Sequence, residues 1–287
     1  MKDFAGKTAV ITGAGSGFGR EFARTAAGLG MKLVLADIQA DALAATAAEF
    51  PNAEVLALRT DVAKAADMER LADEAYARFG QVHLLFNNAG VGAGGLVWEN
   101  TVADWDWVLG VNLWSVIHGI RLFTPRMLAG GEACHIVNTA SVAGLLSAPL
   151  MGVYNVSKHA VVTLSETLYH DLRLAQAPIG VTVLCPAFVP TGIAHAARNR
   201  PEDLRNNAAP TPSQLAAQAA SEKAVSSGRL TAADVAAKTF DCIRDDRFYC
   251  FTHGKILASV ELRLQDILQA RDPTDPFSYK PSASPAL

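Results

Sequence analysis

The sequence predicts an α/β protein built on a doubly wound, seven-stranded parallel sheet with helices on both faces. Three observations carry that expectation. Short apolar, β-rich runs alternate with longer amphipathic stretches. A glycine-rich turn, Thr12-Gly13-Ala14-Gly15-Ser16-Gly17-Phe18-Gly19, follows the first run and opens the first helical stretch. Half of the 287 residues are hydrophobic and only 18% are charged, which is enough apolar surface to cover both faces of a sheet. Open sheets reach this length undivided, so residues 1–271 are expected to form one domain and 272–287 an extended tail rich in proline and serine.

Strands are expected over 7–12, 32–37, 55–59, 84–87, 135–139, 181–185 and 248–252. Phe18, Phe22 and Ala26 form an i, i+4, i+8 stripe for the first helix. Asp61 is expected to cap a helix running toward Phe79, where Gly80 ends it. Helical stretches follow over about 101–128 and 154–174. Residues 191–229 break the rhythm with Ala, Asn, Pro, Ser and Gln, and at that length read as a lid carrying short helices.

A formal charge of -3 gives no basic field for nucleic acid or an anionic membrane. The four cysteines show no metal-ligand spacing and read as small buried hydrophobes, so no metal is expected. With no signal-peptide core and no apolar run long enough to span a bilayer, a reducing, cytoplasmic location is expected.

Two clusters carry chemistry. The first is the glycine turn, where a backbone free of Cβ atoms can approach a pyrophosphate at a helix N-terminus. Gly13, Ser16, Gly17, Phe18 and Gly19 are its expected contacts. Asp37 closes the second strand about 20 residues later, where a carboxylate can accept both ribose hydroxyls of an adenosine and would repel a 2′-phosphate. Ser16 and Ile38 are not basic, so NAD is expected over NADP. A helix cap is the plainer role for Asp37. Asn87-Asn88-Ala89-Gly90 ends the fourth strand with side chains able to tie neighbouring strands.

The second cluster is Tyr154 and Lys158, four residues apart on one helical face, with Ser141 upstream beside a strand end. A tyrosine acting as acid and base near neutrality needs its pKa lowered by about three units from roughly 10, worth about 4 kcal/mol. A cation about 4 Å away supplies about that much at an effective dielectric near 20. Each residue also has a plain structural role open to it: half-buried aromatic, solvated charge, loop hydroxyl.

Taken together these residues resemble the short-chain dehydrogenase/reductase family. The matching elements are Thr12-Gly13-x-x-x-Gly17-x-Gly19, Asp61-Val62, Asn87-Asn88-Ala89-Gly90, Asn112 in Val-Asn-Leu, Ser141 and Tyr154-x-x-x-Lys158, in the family's order from about residue 5 to 193. The resemblance implies a Rossmann-type fold, a Ser141-Tyr154-Lys158 site supported by Asn112, and a homodimer or homotetramer. It places Asp61 and Val62 at the adenine, Asn88, Ala89 and Gly90 along the cofactor, and Val189 and Thr191 at the nicotinamide carboxamide. It implies that Asn112 bends its helix and positions a water toward Lys158. One departure stands out: family members commonly carry Pro-Gly after the sixth strand, whereas this chain reads Pro186-Ala187-Phe188.

The family places the substrate after Gly90, Ser141 and Pro186, and those stretches hold no Arg or Lys. A neutral, apolar and bulky or aromatic secondary alcohol or ketone is therefore expected, lined by Ser141, Leu145, Tyr154, Phe188 and Trp98. Arg198, Arg200, Arg205, Lys223 and Arg229 in the lid segment fit a solvated face better than a charged substrate tail, and His195 has no assigned role. The reading is an NAD-dependent alcohol dehydrogenase or carbonyl reductase. Its rivals are an NAD-binding sensor or scaffold without turnover, an NADPH-dependent carbonyl reductase of the same fold, and a nucleotide-sugar epimerase or dehydratase.

Overall fold

Seven parallel strands in the order β3-β2-β1-β4-β5-β6-β7 form the sheet in the computed structural model, which describes residues 1–278. The strands are β1 (Thr8–Thr12), β2 (Lys32–Asp37), β3 (Val55–Arg59), β4 (Leu84–Asn87), β5 (Cys134–Thr139), β6 (Ile179–Cys185) and β7 (Tyr249–Phe251). Between them run α1 (Gly17–Gly28), α2 (Ala40–Ala47), α3 (Ala65–Phe79), α4 (Val102–Leu109), α5 (Ser115–Gly130), α6 (Gly152–Leu174), α7 (Pro212–Ser226) and α8 (Ala232–Arg244), with α9 (Leu257–Leu268) after β7. This is the expected Rossmann-type architecture. Chain order reverses between β1 and β4, which opens a crevice at their carboxyl ends.

Alternation along the strands feeds two apolar layers. Ala9 and Ile11 of β1 with Leu33 and Leu35 of β2 pack with Phe22 of α1 and Phe240 of α8. Val10, Val34 and Ala36 point the other way, into a layer with Met68 and Leu71 of α3 and Phe123 and Met127 of α5. Phe22 stacks on Phe86 at 4.4 Å between ring centroids, and burying such a ring stabilises by roughly 2–3 kcal/mol.

Several local expectations are corrected. Asp61 does not cap α3, which starts after Lys64; its Oδ1 accepts from Ala63 N–H at 3.2 Å, and Asp67 accepts its N–H at 2.8 Å. The stretch over 101–128 divides. Thr101 and Asp104 form a reciprocal capping box that starts α4, and a π turn, Gly110–Trp114, separates α4 from α5. There Ser115 N–H bonds the Gly110 carbonyl, one residue further back than an α-helix allows. Residues 191–229 hold two 3₁₀ turns and the 15-residue α7, longer than expected. The last strand is shorter than 248–252. Of the predicted tail, 279–287 lie outside the described residues, while Phe277 lies against Phe188 at 6.4 Å between ring centroids. Among the described residues no helix is long and apolar enough to cross a membrane, and no group of acidic, histidine and cysteine side chains is placed to hold a metal. All four cysteines are buried and free.

Candidate active site

Strand ends bring both clusters to one edge, with Thr12 as the hub. Its hydroxyl donates to the Phe86 carbonyl at 3.1 Å and accepts from the N–H groups of Asn88 at 2.9 Å and Ala89 at 3.1 Å. Asn88 Nδ2 donates to the Thr12 carbonyl at 2.9 Å, and Asn87 Nδ2 donates to Asn138 Oδ1 of β5 at 2.9 Å. The two asparagines thus tie β4 to both neighbours, as their side chains predicted. The main chain of the glycine turn then passes against the end of β4. Gly13 has φ +69°, and a Cβ on it would stand 3.0 Å from Ala89 Cα. A Cβ on Gly19 would overlap the Gly13 carbonyl oxygen.

At the end of β2, Asp37 Oδ2 accepts Gly15 N–H at 2.8 Å and Oδ1 accepts Gln39 N–H at 2.9 Å. Gln39, not Asp37, occupies the cap position of α2. The expectation that nothing basic lies nearby is corrected: Arg59 pairs with Asp37 across β2–β3 and donates through Nε to the Ile38 carbonyl at 3.2 Å, while Arg20 donates to the Gly15 carbonyl at 2.7 Å. Both guanidiniums lie on main-chain carbonyls. Asp61 is partly buried by its turn, and the Val62 side chain is buried in the second apolar layer.

Lys158 stands at the other bank. It is 2% exposed, and Nζ donates to the Thr139 carbonyl at the end of β5 at 2.9 Å. Thr139 Oγ1 in turn donates to Asn88 Oδ1 at 3.3 Å, so Thr12, Asn88, Thr139 and Lys158 form one chain of contacts from the glycine turn to the amine. A Cβ on Gly90 would stand 3.7 Å from Nζ. The half-buried Tyr154 ring lies with its centroid 5.7 Å from Nζ.

Electrostatics at this bank differ from the expectation. Burial pushes Tyr154 up from its ordinary value, opposed by the Ser141 hydroxyl. Burial also brings Lys158 down to about 8, with the Cys185 thiol acting weakly the other way. Spacing alone treats the lysine as a solvated cation, whereas folding removes it from water and disfavours its protonated form.

Ser141 Oγ donates to the Pro186 carbonyl at 3.3 Å and accepts from Ala143 N–H at 3.1 Å, closing a short turn. Asn112 sits in the π turn and clamps residue 91: Oδ1 accepts Val91 N–H at 2.8 Å, and Nδ2 donates to the Val91 carbonyl and to Ser157 Oγ, both at 3.0 Å. Its side-chain amide is thereby committed to the main chain after Gly90.

Of the residues expected to line a substrate, Leu145 is half-buried beside the apolar cluster of α6, and Phe188 is 37% exposed. Trp98 is 77% exposed in a turn. The Val189 side chain is buried in the first apolar layer, leaving only its main chain for a ligand, and Thr191 packs against Gly17. His195 and Lys223 line a cavity of about 620 Å³ between the 190–195 segment and α7. Sequence reasoning missed Thr12 and Thr139 as site residues, along with Arg20, Arg59 and Gln39; a polar residue at the last position of β1 and of β5 was the available signal for the first two.

Residues 7–202 match the family model described as short chain dehydrogenase. The chain belongs to the short-chain dehydrogenase family. It is an oxidoreductase acting on a CH–OH group, or on the ketone formed from it, with a nicotinamide dinucleotide. A short-chain dehydrogenase/reductase from Burkholderia phymatum in complex with NAD aligns at a TM-score of 0.95 and 62% identity, covering 96% of this chain and 99% of that one. A CLA biosynthesis dehydrogenase/reductase of Lactiplantibacillus plantarum is 35% identical over 273 residues, 93% of this chain and 95% of that protein. A C alpha-dehydrogenase of Sphingobium sp. is 39% identical over 204 residues, 70% of this chain and 66% of that protein.

Proposed function

We propose that this short-chain dehydrogenase uses NAD to interconvert a bulky, neutral, apolar secondary alcohol and its ketone. The observation that carries the reading is the contact chain Thr12–Asn88–Thr139–Lys158, which joins the glycine turn to the Tyr154 bank. The cradle fits a dinucleotide: Gly13 and Gly19 let the turn close against the end of β4, where a Cβ on either would strike main chain, and Asp37 stands at the end of β2. Gly13, Ser16, Gly17, Phe18 and Gly19 would hold the pyrophosphate, Asp37 the adenosine ribose, Asp61 and Val62 the adenine, and Asn88 to Gly90 the adjoining half. Val189 and Thr191 would meet the carboxamide. When bound, the cofactor supplies the hydride acceptor and, in its oxidised form, a positive charge.

In the oxidation direction, Tyr154 takes the hydroxyl proton as the carbinol carbon gives up its hydride. Ser141 turns its O–H from the Pro186 carbonyl onto the substrate oxygen and steadies the charge developing there. Lys158 stabilises the phenolate, and Asn112 fixes the main chain at Val91 beside it. Reduction runs the same transfers backward. The 62% identical relative in complex with NAD supports NAD over NADP, as does the Asp37 carboxylate. Relatives that act on a hydroxypentalenate and in CLA biosynthesis share no single substrate, so the substrate class rests on the residues themselves. Arg198 folds back onto the Gly192 and His195 carbonyls, and residues 91–98, 142–146 and 186–189 themselves carry no Arg or Lys to hold a carboxylate. We take the working form to be a homodimer or homotetramer, supported by Trp114 and Val156 standing exposed next to α5 and on α6.

The test is NAD and NADP reduction across a panel of alcohols. NAD-linked turnover is expected on aromatic and bulky alicyclic secondary alcohols. Preference for small charged hydroxy acids would overturn the substrate class, and bound NADH without turnover on any alcohol or ketone would favour a binding protein.

A further inference from the structure

Residues 191–206 touch both banks of the crevice. Thr191 lies against Gly17, and the Ile193 carbonyl stands 3.9 Å from where a Cβ on Gly92 would be. Two consecutive residues further on then anchor to different elements. Asn199 Oδ1 accepts from Gln39 Nε2 at 2.8 Å, two residues past Asp37 at the end of β2. Arg200 Nη1 donates to Asp104 Oδ1 at 2.7 Å on α4, the helix that follows β4. Because β1 lies between β2 and β4 in the sheet, this bridge crosses above the carboxyl end of β1 and its glycine turn.

The Arg200 anchor is built, unlike an ordinary surface ion pair. The two side chains are 12% and 4% exposed. Asp104 accepts four contacts: Arg200 and Asn206 Nδ2 on Oδ1, and the N–H and hydroxyl of Thr101 on Oδ2. Arg200 Nε closes the next turn on the Leu204 carbonyl at 2.6 Å, and its guanidinium lies 5.0 Å from the Trp107 ring centroid. Trp107 shares an apolar cluster with Val91, Val153 and Ala196, so the anchor is continuous with the residue after Gly90 and the residue before Tyr154.

We propose that Asn199 and Arg200 form a clasp over the adenosine half of the bound dinucleotide. Release of the cofactor then requires the Arg200–Asp104 contact to open, and Arg200 is a positioning residue that sets how long the cofactor stays. The clasp rests on the reading that this crevice holds a dinucleotide. It also gives Arg200 a role beyond a solvated face.

The experiment follows NADH dissociation by stopped-flow fluorescence, with excess NAD as the displacing ligand, in wild type, Arg200→Ala, Arg200→Lys and Gln39→Ala. Dissociation is expected to quicken about tenfold in Arg200→Ala and about twofold in Gln39→Ala, with Arg200→Lys between them. ADP-ribose, which carries the adenosine half without nicotinamide, is expected to lose affinity by the same factors, and KM for NAD to rise more than KM for the alcohol. Unchanged dissociation in a folded Arg200→Ala overturns the clasp. Should that variant fail to fold, Gln39→Ala decides from an exposed position: an unchanged rate there overturns the clasp equally. A wild type that binds no NADH removes the dinucleotide reading and the clasp with it, whereas wild-type binding with unaltered variants removes the clasp alone.

Discussion

The two banks of the crevice are built by different means. On the glycine-turn side, Thr12, Asn88 and Asp37 already have their hydrogen bonds within the chain, and the shape of the cradle comes from main chain without Cβ atoms. On the α6 side, Lys158 and Tyr154 stand where burial disfavours the ionised form of each. A binding surface made of backbone is complete before any ligand arrives. A proton-transfer surface made of buried ionisable groups carries its charged forms against the cost of burial until a compensating charge is placed beside it.

Substitutions on one bank should therefore leave the other intact, and the largest effect tests this first. Tyr154→Phe is expected to lower kcat by about 10³ while NADH affinity by fluorescence titration changes less than about threefold. A variant retaining most of its turnover would refute the role given to the phenol. Gly19→Ala is the mirror image. Its Cβ overlaps the Gly13 carbonyl, so the turn must shift, and NADH affinity is expected to fall about 10- to 100-fold with a lowered melting temperature.

Lys158→Met sharpens the comparison without any cofactor. The native amine titrates near 8 and the unfolded one near 10.5, so below pH 8 both states carry the proton and the native state bears the burden of a buried charge. Between those values the unfolded chain binds more protons, and wild-type stability contributed by this group rises with pH. A shift of that size is worth about 3 kcal/mol, reduced by about 1 kcal/mol for the lost hydrogen bond to Thr139. Cofactor-free Lys158→Met is thus expected to be about 2 kcal/mol more stable than wild type in urea unfolding at pH 7, with the gain shrinking toward pH 10. A difference independent of pH would show that the lysine is not held in this way. The smallest effect is at the adenosine end, where Asp37→Ala is expected to reduce discrimination between NAD and NADP about tenfold in kcat/KM.

What the sequence disclosed follows from how local each constraint is. The glycine turn, the asparagines after β4 and the alternation in β1 and β2 are legible because neighbouring residues impose them. The exchange between Thr101 and Asp104 is local as well, but the long periodic run around it hid the break between α4 and α5. Asp61 departs from its expected capping role because Asp67 holds its N–H and the helix starts beyond it. The π turn depends on Asn112 meeting Val91, and the clasp on Arg200 meeting Asp104, 96 residues away. No short window contains either pair. The depression of Lys158 was hidden for a related reason: spacing shows which charges are close, while desolvation depends on everything that covers them.

The π turn also constrains how this helix can change length. Each residue in a helix turns the chain by about 100°. The wide turn at Gly110–Trp114 absorbs one residue beyond that winding, so deleting one position there would close the turn to a regular one. Asn112 reaches Val91 from inside that turn, so closing it would move the amide off its present partner, and single-residue deletions should be less tolerated here than side-chain replacements at the surface.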